Sequence, residues 1–230
     1  MRRKNGFTCI IPFHNEGKRI LSVIDAVHKI KPISQLICID DGSTDGSSKL
    51  IRKQYPAVTL VRLKKNAGKA GAVLQGLNRA ENENILLLDG DLHSIKAREI
   101  ETSLERFTAD GSMDMIILQN YGDIPWIESL LRIDIFLSGK RIMKKSQLKE
   151  IMKVKPSGYQ LEVAINRYMM AHKKTVYWMV NSARNPYKSR KHRFLHGWMR
   201  EAKMVGEVIS YIGLRAYLKQ MFFFCRRQLR

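Results

Sequence analysis

Two aspartates separated by one glycine, Asp89-Gly90-Asp91, directly follow the apolar run Ile85-Leu86-Leu87-Leu88. Such a run reads as a short strand buried on both faces. Carboxylates at the end of a core strand are costly to bury unless something shares their charge. Two of them on a glycine turn can converge on one divalent cation, and hard oxygen ligands suit Mg²⁺ or Mn²⁺, whose coordination is completed by phosphate oxygens and water. His93 lies two residues further on, where its plain reading is helix capping or solvation. A second carboxylate pair, Asp40-Asp41, opens Asp40-Asp41-Gly42-Ser43-Thr44-Asp45-Gly46, where an Asx-turn is the structural alternative to ligand binding. Lys69 lies in Asn66-Ala67-Gly68-Lys69-Ala70-Gly71-Ala72, which lacks the Gly-x4-Gly-Lys-Ser/Thr spacing of a P-loop.

The elements that must position these residues follow from periodicity. Strands are expected at Phe7–Ile11 (closed by Pro12), Leu36–Ile39, Val58–Leu63, Ile85–Leu88 and Met113–Leu118. Between them, helices are expected from Lys18 to about Ile30, from a Ser43 or Thr44 cap to about Gln54, from Asn66 to about Ala80, and from about Lys96 to Phe107. This alternation predicts right-handed βαβ units and a parallel sheet, so an α/β fold. Ligands of such sheets bind beyond the carboxyl ends of the strands. The loops carrying Asn15-Glu16, Asp40-Asp41, Lys69 and Asp89-Asp91 would then open on one crevice. Further on, a helix is expected over 124–137, a break at Ser138-Gly139-Lys140-Arg141, and a short helix near 146–151. An amphipathic helix over 158–171 carries Glu162, a strand runs from Thr175 to Val180, and two helices finish the chain.

The 230 residues carry 41 Lys and Arg against 21 Asp and Glu, a net charge of +20. That excess points to a polyanionic partner, either nucleic acid or an acidic membrane surface. A nucleic-acid groove interleaves aromatics with basic residues; here the aromatics gather instead on one side of the last segment, so nucleic acid is the unlikely partner. The three cysteines form no CxxC or Cys/His pattern, which argues against zinc and a disulfide framework and fits a reducing cytoplasm. Met1 to Gly6 enters a strand without an apolar leader, and no apolar run reaches the ~18–20 residues of a membrane span.

Six segments together resemble a family 2 glycosyltransferase of the GT-A type. Ile11-Pro12-Phe13-His14-Asn15-Glu16 is similar to that family's opening Pro-x-Tyr/His-Asn-Glu, and Ile39 to Gly46 to its Val-Asp-Asp-Gly-Ser-x-Asp-Gly. Asn66 to Ala72 is similar to Asn-x-Gly-Lys-Gly-x-Ala, and Asp89-Gly90-Asp91 takes the Asp-x-Asp position. Asp134-x-x-x-Ser138-Gly139-Lys140-Arg141 and Gly158-Tyr159-Gln160-Leu161-Glu162 resemble segments of polyprenyl-phosphate (dolichyl-phosphate) sugar synthases, with Lys140 where those carry Phe. The resemblance implies a Rossmann-like GT-A fold with a mainly parallel sheet flanked by helices, and transfer from a UDP- or GDP-sugar with inversion. It implies that Asp91, with Asp89 beside it and His93 as a candidate third ligand, holds Mg²⁺ or Mn²⁺, and that Pro12, His14, Glu16, Asp40, Asp41, Lys69 and Asp89 line the nucleotide-sugar. Arg141 would meet the donor diphosphate or an acceptor phosphate. Glu162 would be a general base toward a hydroxyl acceptor, be dispensable toward an ionised lipid phosphate, or simply pair with a nearby cation. Tyr187 and Lys188 would belong to a loop closing on the donor.

The expected organisation is a glycosyltransferase domain over 1–190, with a nucleotide-binding half (1–120) and an acceptor half (121–190), followed by a helical tail over 191–230. From Asn181 to Arg230, twelve basic residues face only Glu201 and Glu207. On a helical wheel Leu214, Tyr217, Leu218, Met221, Phe222, Phe224, Cys225 and Leu229 share one side, and Arg215, Lys219, Arg226, Arg227 and Arg230 the other. A basic amphipathic helix with bulky aromatics suits an anionic membrane surface; the alternative is a helix whose apolar face packs on the domain. The expected partners are therefore a nucleotide-sugar donor, a lipid-linked acceptor and the inner face of the membrane, where the protein would be peripheral.

Overall fold

The computed structural model describes residues 6–120, 133–156, 160–182 and 205–229. Eight strands form one sheet: β1 (Phe7–Phe13), β2 (Ile33–Asp40), β3 (Thr59–Arg62), β4 (Asn84–Leu87), β5 (Met115–Asn120), β6 (Arg141–Lys144), β7 (Val176–Asn181) and β8 (Arg227–Gln228). Their spatial order is β3-β2-β1-β4-β6-β5-β7-β8. Every pairing is parallel except those of β6, which runs antiparallel to both β4 and β5. The α/β architecture expected from the alternation is therefore the one the chain adopts.

Strand residues alternate between two cores, as a sheet covered on both faces requires. Ile10, Ile37, Ile39, Ile85, Leu87, Met115 and Met143 face one helical layer, built from α3 (Gly68–Leu77), α6 (Lys145–Met152) and α7 (Gln160–Ala171). Cys9, Ile11, Cys38, Leu86, Ile116 and Ile142 face the other, built from α1 (Arg19–Val27), α2 (Ser47–Gln54) and α4 (Ala97–Ala109). Burial raises the pKa of the Cys9 and Cys38 thiols, that of Cys38 to about 12, so both stay protonated inside the sheet.

Several boundaries differ from expectation for identifiable reasons. β1 continues through Pro12 to Phe13, because its pairing with β4 has already stopped at Ile10–Leu87 and the missing N–H breaks no rung there. The helix expected to begin at Ser43 or Thr44 begins at Ser47: Ser43 Oγ instead accepts the Asn15 N–H at 2.9 Å, and Asp45 accepts the Ser47 N–H at 3.0 Å. The Ser-Gly-Lys-Arg break leads into β6, a four-residue strand wedged between β4 and β5 that the hydrophobic pattern did not mark. Of the helix expected over 124–137, the described part is α5 (Ile133–Phe136). Tyr187, Lys188 and the basic residues between Arg184 and Lys203 lie outside the described residues.

The C-terminal segment has two apolar sides rather than one. A helical stretch at 205–212 leads into α8 (Leu214–Phe223), whose Tyr217 and Met221 pack with Phe136, Val163 and Val208. α7, expected to be amphipathic, is buried continuously from Leu161 to Asn166, because α8 covers the side turned away from the sheet. The chain then leaves the helix, Phe224 and Cys225 enter the sheet core, and β8 pairs with β7. The single wheel drawn through Arg230 fails at Phe224, where the backbone becomes extended. No helix among the described residues is long and apolar enough to cross a membrane.

Adjacent phenylalanines should therefore behave oppositely. Phe224, 5% exposed, should cost ~3–5 kcal/mol when changed to Ala, whereas Phe223→Ala, at 68% exposure, should stay within about 0.5 kcal/mol. Urea unfolding midpoints of the two variants measure this; equal shifts would mean that Phe224 is not a core residue.

Candidate active site

β2, β1 and β4 lie side by side and parallel, so the loops that follow them open at one edge of the sheet. There they enclose a crevice of about 400 Å³ lined by Pro12, His14, Glu16, Asp41, Lys69, Asp89, Asp91 and Glu162, together with Phe13, Ala72, Gly90 and Leu137. Seven of the nine residues expected to hold donor or metal thus meet here, Pro12 among them, along with Glu162.

Each wall is fixed by backbone geometry. The His14 ring donates from Nδ1 to the Asp41 carbonyl oxygen at 2.8 Å, and Asn15 Nδ2 lies 3.1 Å from the other ring nitrogen, which together orient the imidazole. Asp41 Oδ1 accepts the Ala67 N–H at 2.7 Å, tying the loop after β2 to the start of α3. Glu16 pairs with Arg19 at 2.8 Å. Gly90 lets the Asp-Gly-Asp turn sit on β1: a Cβ there would lie 2.6 Å from the Phe13 Cβ and 3.0 Å from the Pro12 carbonyl oxygen.

Charge concentrates at the centre. Lys69 Nζ lies 2.6 Å from Asp89 Oδ1 and 2.7 Å from Glu162 Oε1. Burial works against the ammonium, but the two carboxylates outweigh it and hold its pKa above the ordinary lysine range. Asp91 has its pKa raised, by burial first and then by the Asp89 charge. Glu16 is raised too, by burial and against the pull of Arg19, with Asp91 adding to the rise. A carboxyl pushed upward beside like charges is a place where a cation would be welcome. Asp89 and Asp91 fit a divalent ion of the kind that takes one or two protein carboxylates and fills its remaining positions with phosphate oxygens and water.

Three expected site residues sit elsewhere. His93 is exposed and absent from the described crevice walls, and no trio of His, Cys, Asp or Glu suited to a metal occurs among the described residues. The reason is local: Leu92 turns into the core, which leaves His93 on the outside. Asp40 is fully buried; it accepts the Ser43 N–H at 2.6 Å and the Ser48 hydroxyl, and lies 3.4 Å from Arg62 Nε. It shapes the loop that presents Asp41. Arg141 is also 0% exposed, donating to the carbonyls of Ser138 (2.7 Å) and Phe136 (3.1 Å) and to Asn166 Oδ1 (2.6 Å). Burial lowers its pKa to about 10, which leaves it charged at neutral pH.

The residue that sequence reading missed is Asn166. It completes the Arg141 network by donating to the Phe136 carbonyl at 2.9 Å, and its signal was a lone amide inside an apolar stretch of α7. The network carries Gly139 to the ion pair: a Cβ on Gly139 would lie 2.2 Å from Lys69 Nζ and 2.5 Å from Asp89 Oδ1. Lys140 points away from this cluster, its buried Nζ 3.2 Å from Asn181 Oδ1.

The sequence from residue 8 to residue 176 matches the pattern described as Glycosyl transferase family 2. The chain belongs to this family. Its relatives include an uncharacterized glycosyltransferase, YaiP, of Escherichia coli, 24% identical over 62% of this chain and 38% of the relative. A dolichyl-phosphate beta-glucosyltransferase of Dictyostelium discoideum is 35% identical over 36% of this chain and 29% of the relative. A cholesterol galactosyltransferase of Borreliella burgdorferi is 32% identical over 49% of this chain and 32% of the relative. The chain thus spans well under half the length of these relatives. Among solved structures, glucosyl-3-phosphoglycerate synthase from Mycobacterium tuberculosis, in complex with Mn²⁺, UDP and phosphoglyceric acid, gives a TM-score of 0.71 at 18% identity, over 92% of this chain and 78% of that one. At that identity the likeness establishes the fold, the GT-A architecture expected for family 2.

Within this family 2 fold, the contact of Gly139 with the ion pair is open to test. Gly139→Ala puts a methyl where the Asp89 carboxylate stands, so Asp89 should be displaced from the cation position and cation-dependent nucleotide binding should weaken by about tenfold, ~1.4 kcal/mol. Circular dichroism should stay unchanged. Calorimetric titration with a nucleoside diphosphate and Mn²⁺ measures it, and unchanged affinity would remove Gly139 from the site.

Proposed function

We propose that this chain is an inverting, metal-dependent glycosyltransferase that moves a sugar from a UDP- or GDP-sugar to a lipid-linked acceptor, polyprenyl phosphate, at the cytoplasmic face of a membrane. The observation that carries this reading is the meeting of Asp91, Asp89, Lys69 and Glu162 in one crevice beyond the ends of β1, β2 and β4. Solved structures of the fold neighbour glucosyl-3-phosphoglycerate synthase hold Mn²⁺ or Mg²⁺ with UDP, and the relatives include a dolichyl-phosphate beta-glucosyltransferase and an undecaprenyl-phosphate 4-deoxy-4-formamido-L-arabinose transferase, which supports the donor and acceptor classes.

Asp41 and His14 would receive the nucleoside side of the donor, and Asp91 would face its diphosphate. A divalent cation bound there offsets the charge that builds on the leaving diphosphate without proton transfer. The acceptor would enter from the side of Leu137 and Glu162 and attack in line, in a single displacement. Arg141 is fully buried and gives N–H groups to Ser138, Phe136 and Asn166, which supports a role in holding Gly139 against the ion pair rather than in touching phosphate. Glu162 Oε1 is taken by Lys69, and use of that oxygen as a base would require the contact to break. An acceptor already ionised at neutral pH needs no base, which favours a lipid phosphate over the runner-up, a glycolipid or glycan hydroxyl.

The outer side of α8 supports the membrane part of the reading. Leu214, Leu218, Phe222 and Phe223 are exposed together, with Arg215, Lys219 and Arg226 exposed around them and the Arg226 guanidinium 5.7 Å from the Phe223 ring centre. Apolar side chains ringed by cations suit an anionic bilayer surface, and the inner side of the same helix packs beside Glu162 through Val163.

Thermal unfolding with UDP- and GDP-sugars, each with and without Mg²⁺ or Mn²⁺, tests the donor site. One donor should stabilise the protein only with metal, by about 2.7 kcal/mol at one hundred times its Kd, and Asp91→Ala should abolish the effect. The same donor should then label polyprenyl phosphate in vesicles; labelling of a glycolipid hydroxyl instead would move the assignment to the runner-up, and no stabilisation by any donor would overturn it. On the membrane side, changing Leu218, Phe222 and Phe223 together to Asp should abolish flotation on anionic liposomes without lowering Tm. Undiminished flotation would mean that this face does not meet lipid.

A further inference from the structure

Lys69 occupies a position that a metal ion would suit. Its ammonium stands between a carboxylate of the nucleotide-binding half, Asp89 on the loop after β4, and one of the other half, Glu162 on α7, at 2.6 and 2.7 Å. Glu162 is 3% exposed, and its second oxygen, Oε2, is buried without a hydrogen-bond partner among the described residues. A small void beside it is bounded by Lys69, Gly139 and Arg141. Lys69 itself is about a third exposed (32%), on the first turn of α3, where it opens to the crevice. Two carboxylates approached this closely would repel one another if nothing positive lay between them. The cation between them is thus built into the chain, tethered by a flexible stem and reachable from the donor side.

We propose that Lys69 is a resident counter-ion that holds Asp89 and Glu162 together while the donor site is empty, and that a divalent cation displaces it from Asp89 when the nucleotide-sugar binds. This rests on the donor site proposed above and extends it to an exchange of one cation for another at Asp89. The exchange orders the two substrates. While Lys69 bridges both carboxylates, the acceptor side of the crevice is locked to the donor side through Glu162. Once Asp89 turns to the incoming ion, the ammonium remains with Glu162 or swings to the diphosphate. Donor therefore binds first, and the acceptor side is released by it. Lys69 is a positioning residue in this scheme, acting on the two carboxylates.

Mn²⁺ binding in the absence of nucleotide tests the exchange, followed by electron paramagnetic resonance of the free ion and by Tm. In Lys69→Met the ammonium no longer competes, so Mn²⁺ should bind about tenfold more tightly than in the wild type. Tm should fall by about 5 °C or more and be largely restored by excess Mn²⁺. Lys69→Arg, which keeps the charge, should resemble the wild type in both measurements. A purely structural lysine would lower Tm in Lys69→Met without raising Mn²⁺ affinity, and that result would overturn the proposal. If Lys69→Met does not fold, Lys69→Met combined with Glu162→Gln removes the repulsion, and the same gain in Mn²⁺ affinity is expected at Asp89 and Asp91; no gain there overturns the proposal equally. The readout needs no donor. Failure of every nucleotide-sugar to bind the wild type would sink the donor reading, while unchanged Mn²⁺ affinity in the variant would sink the exchange alone.

Discussion

An ammonium held at 2.6 Å from one carboxylate and 2.7 Å from another joins α3, the loop after β4 and α7 at the crevice. Everything around it serves to keep three charged groups in a half-buried place. α3 delivers Lys69 from a glycine-led first turn, β4 delivers Asp89 from a core strand, and α7 delivers Glu162 from a helix buried on nearly every side. Removing one member would leave a charge in a low-dielectric place without its partner, which costs far more than the net worth of the pair.

That constraint explains a strand that would otherwise look out of place. β6 runs antiparallel in the middle of a parallel sheet, and its first residue is a fully buried arginine. The guanidinium is satisfied by two carbonyls and an asparagine, each from the chain just before the strand or from α7. A buried arginine is tolerable only when its donors are met. Here three of them are met by the segments that carry Gly139 and Glu162, which ties those segments together beside the ion pair.

The C-terminal segment carries the same logic outward. α8 covers the outer side of α7, and Phe224, Cys225 and β8 lock the chain end to the sheet. A helix with one apolar side buried and another exposed has more apolar surface than the fold uses, and the cations around the exposed side are what the proposed bilayer contact rests on. The buried side of α8 packs with Val163, the residue next to Glu162.

The sequence by itself determined the βαβ order, the parallel part of the sheet and the crevice at its edge, because each rests on local periodicity and on motifs a few residues long. Asp41, Asp91, Lys69 and their neighbours were legible for the same reason: each sits at the end of a strand or the start of a helix, and topology alone brings such ends together. Tertiary structure decided what spacing cannot show. Whether an aspartate of the Asp40-Asp41 pair faces the crevice or the core depends on Ser43, Ser48 and Arg62 around it. Whether Arg141 reaches phosphate depends on Asn166, twenty-five positions away. Two consecutive phenylalanines at the end of α8 part company, one into solvent and one into the core, where the helix gives way to extended chain. Arg62 and Asn166 act from other elements of the fold, and a charge or a ring is placed by the groups that surround it.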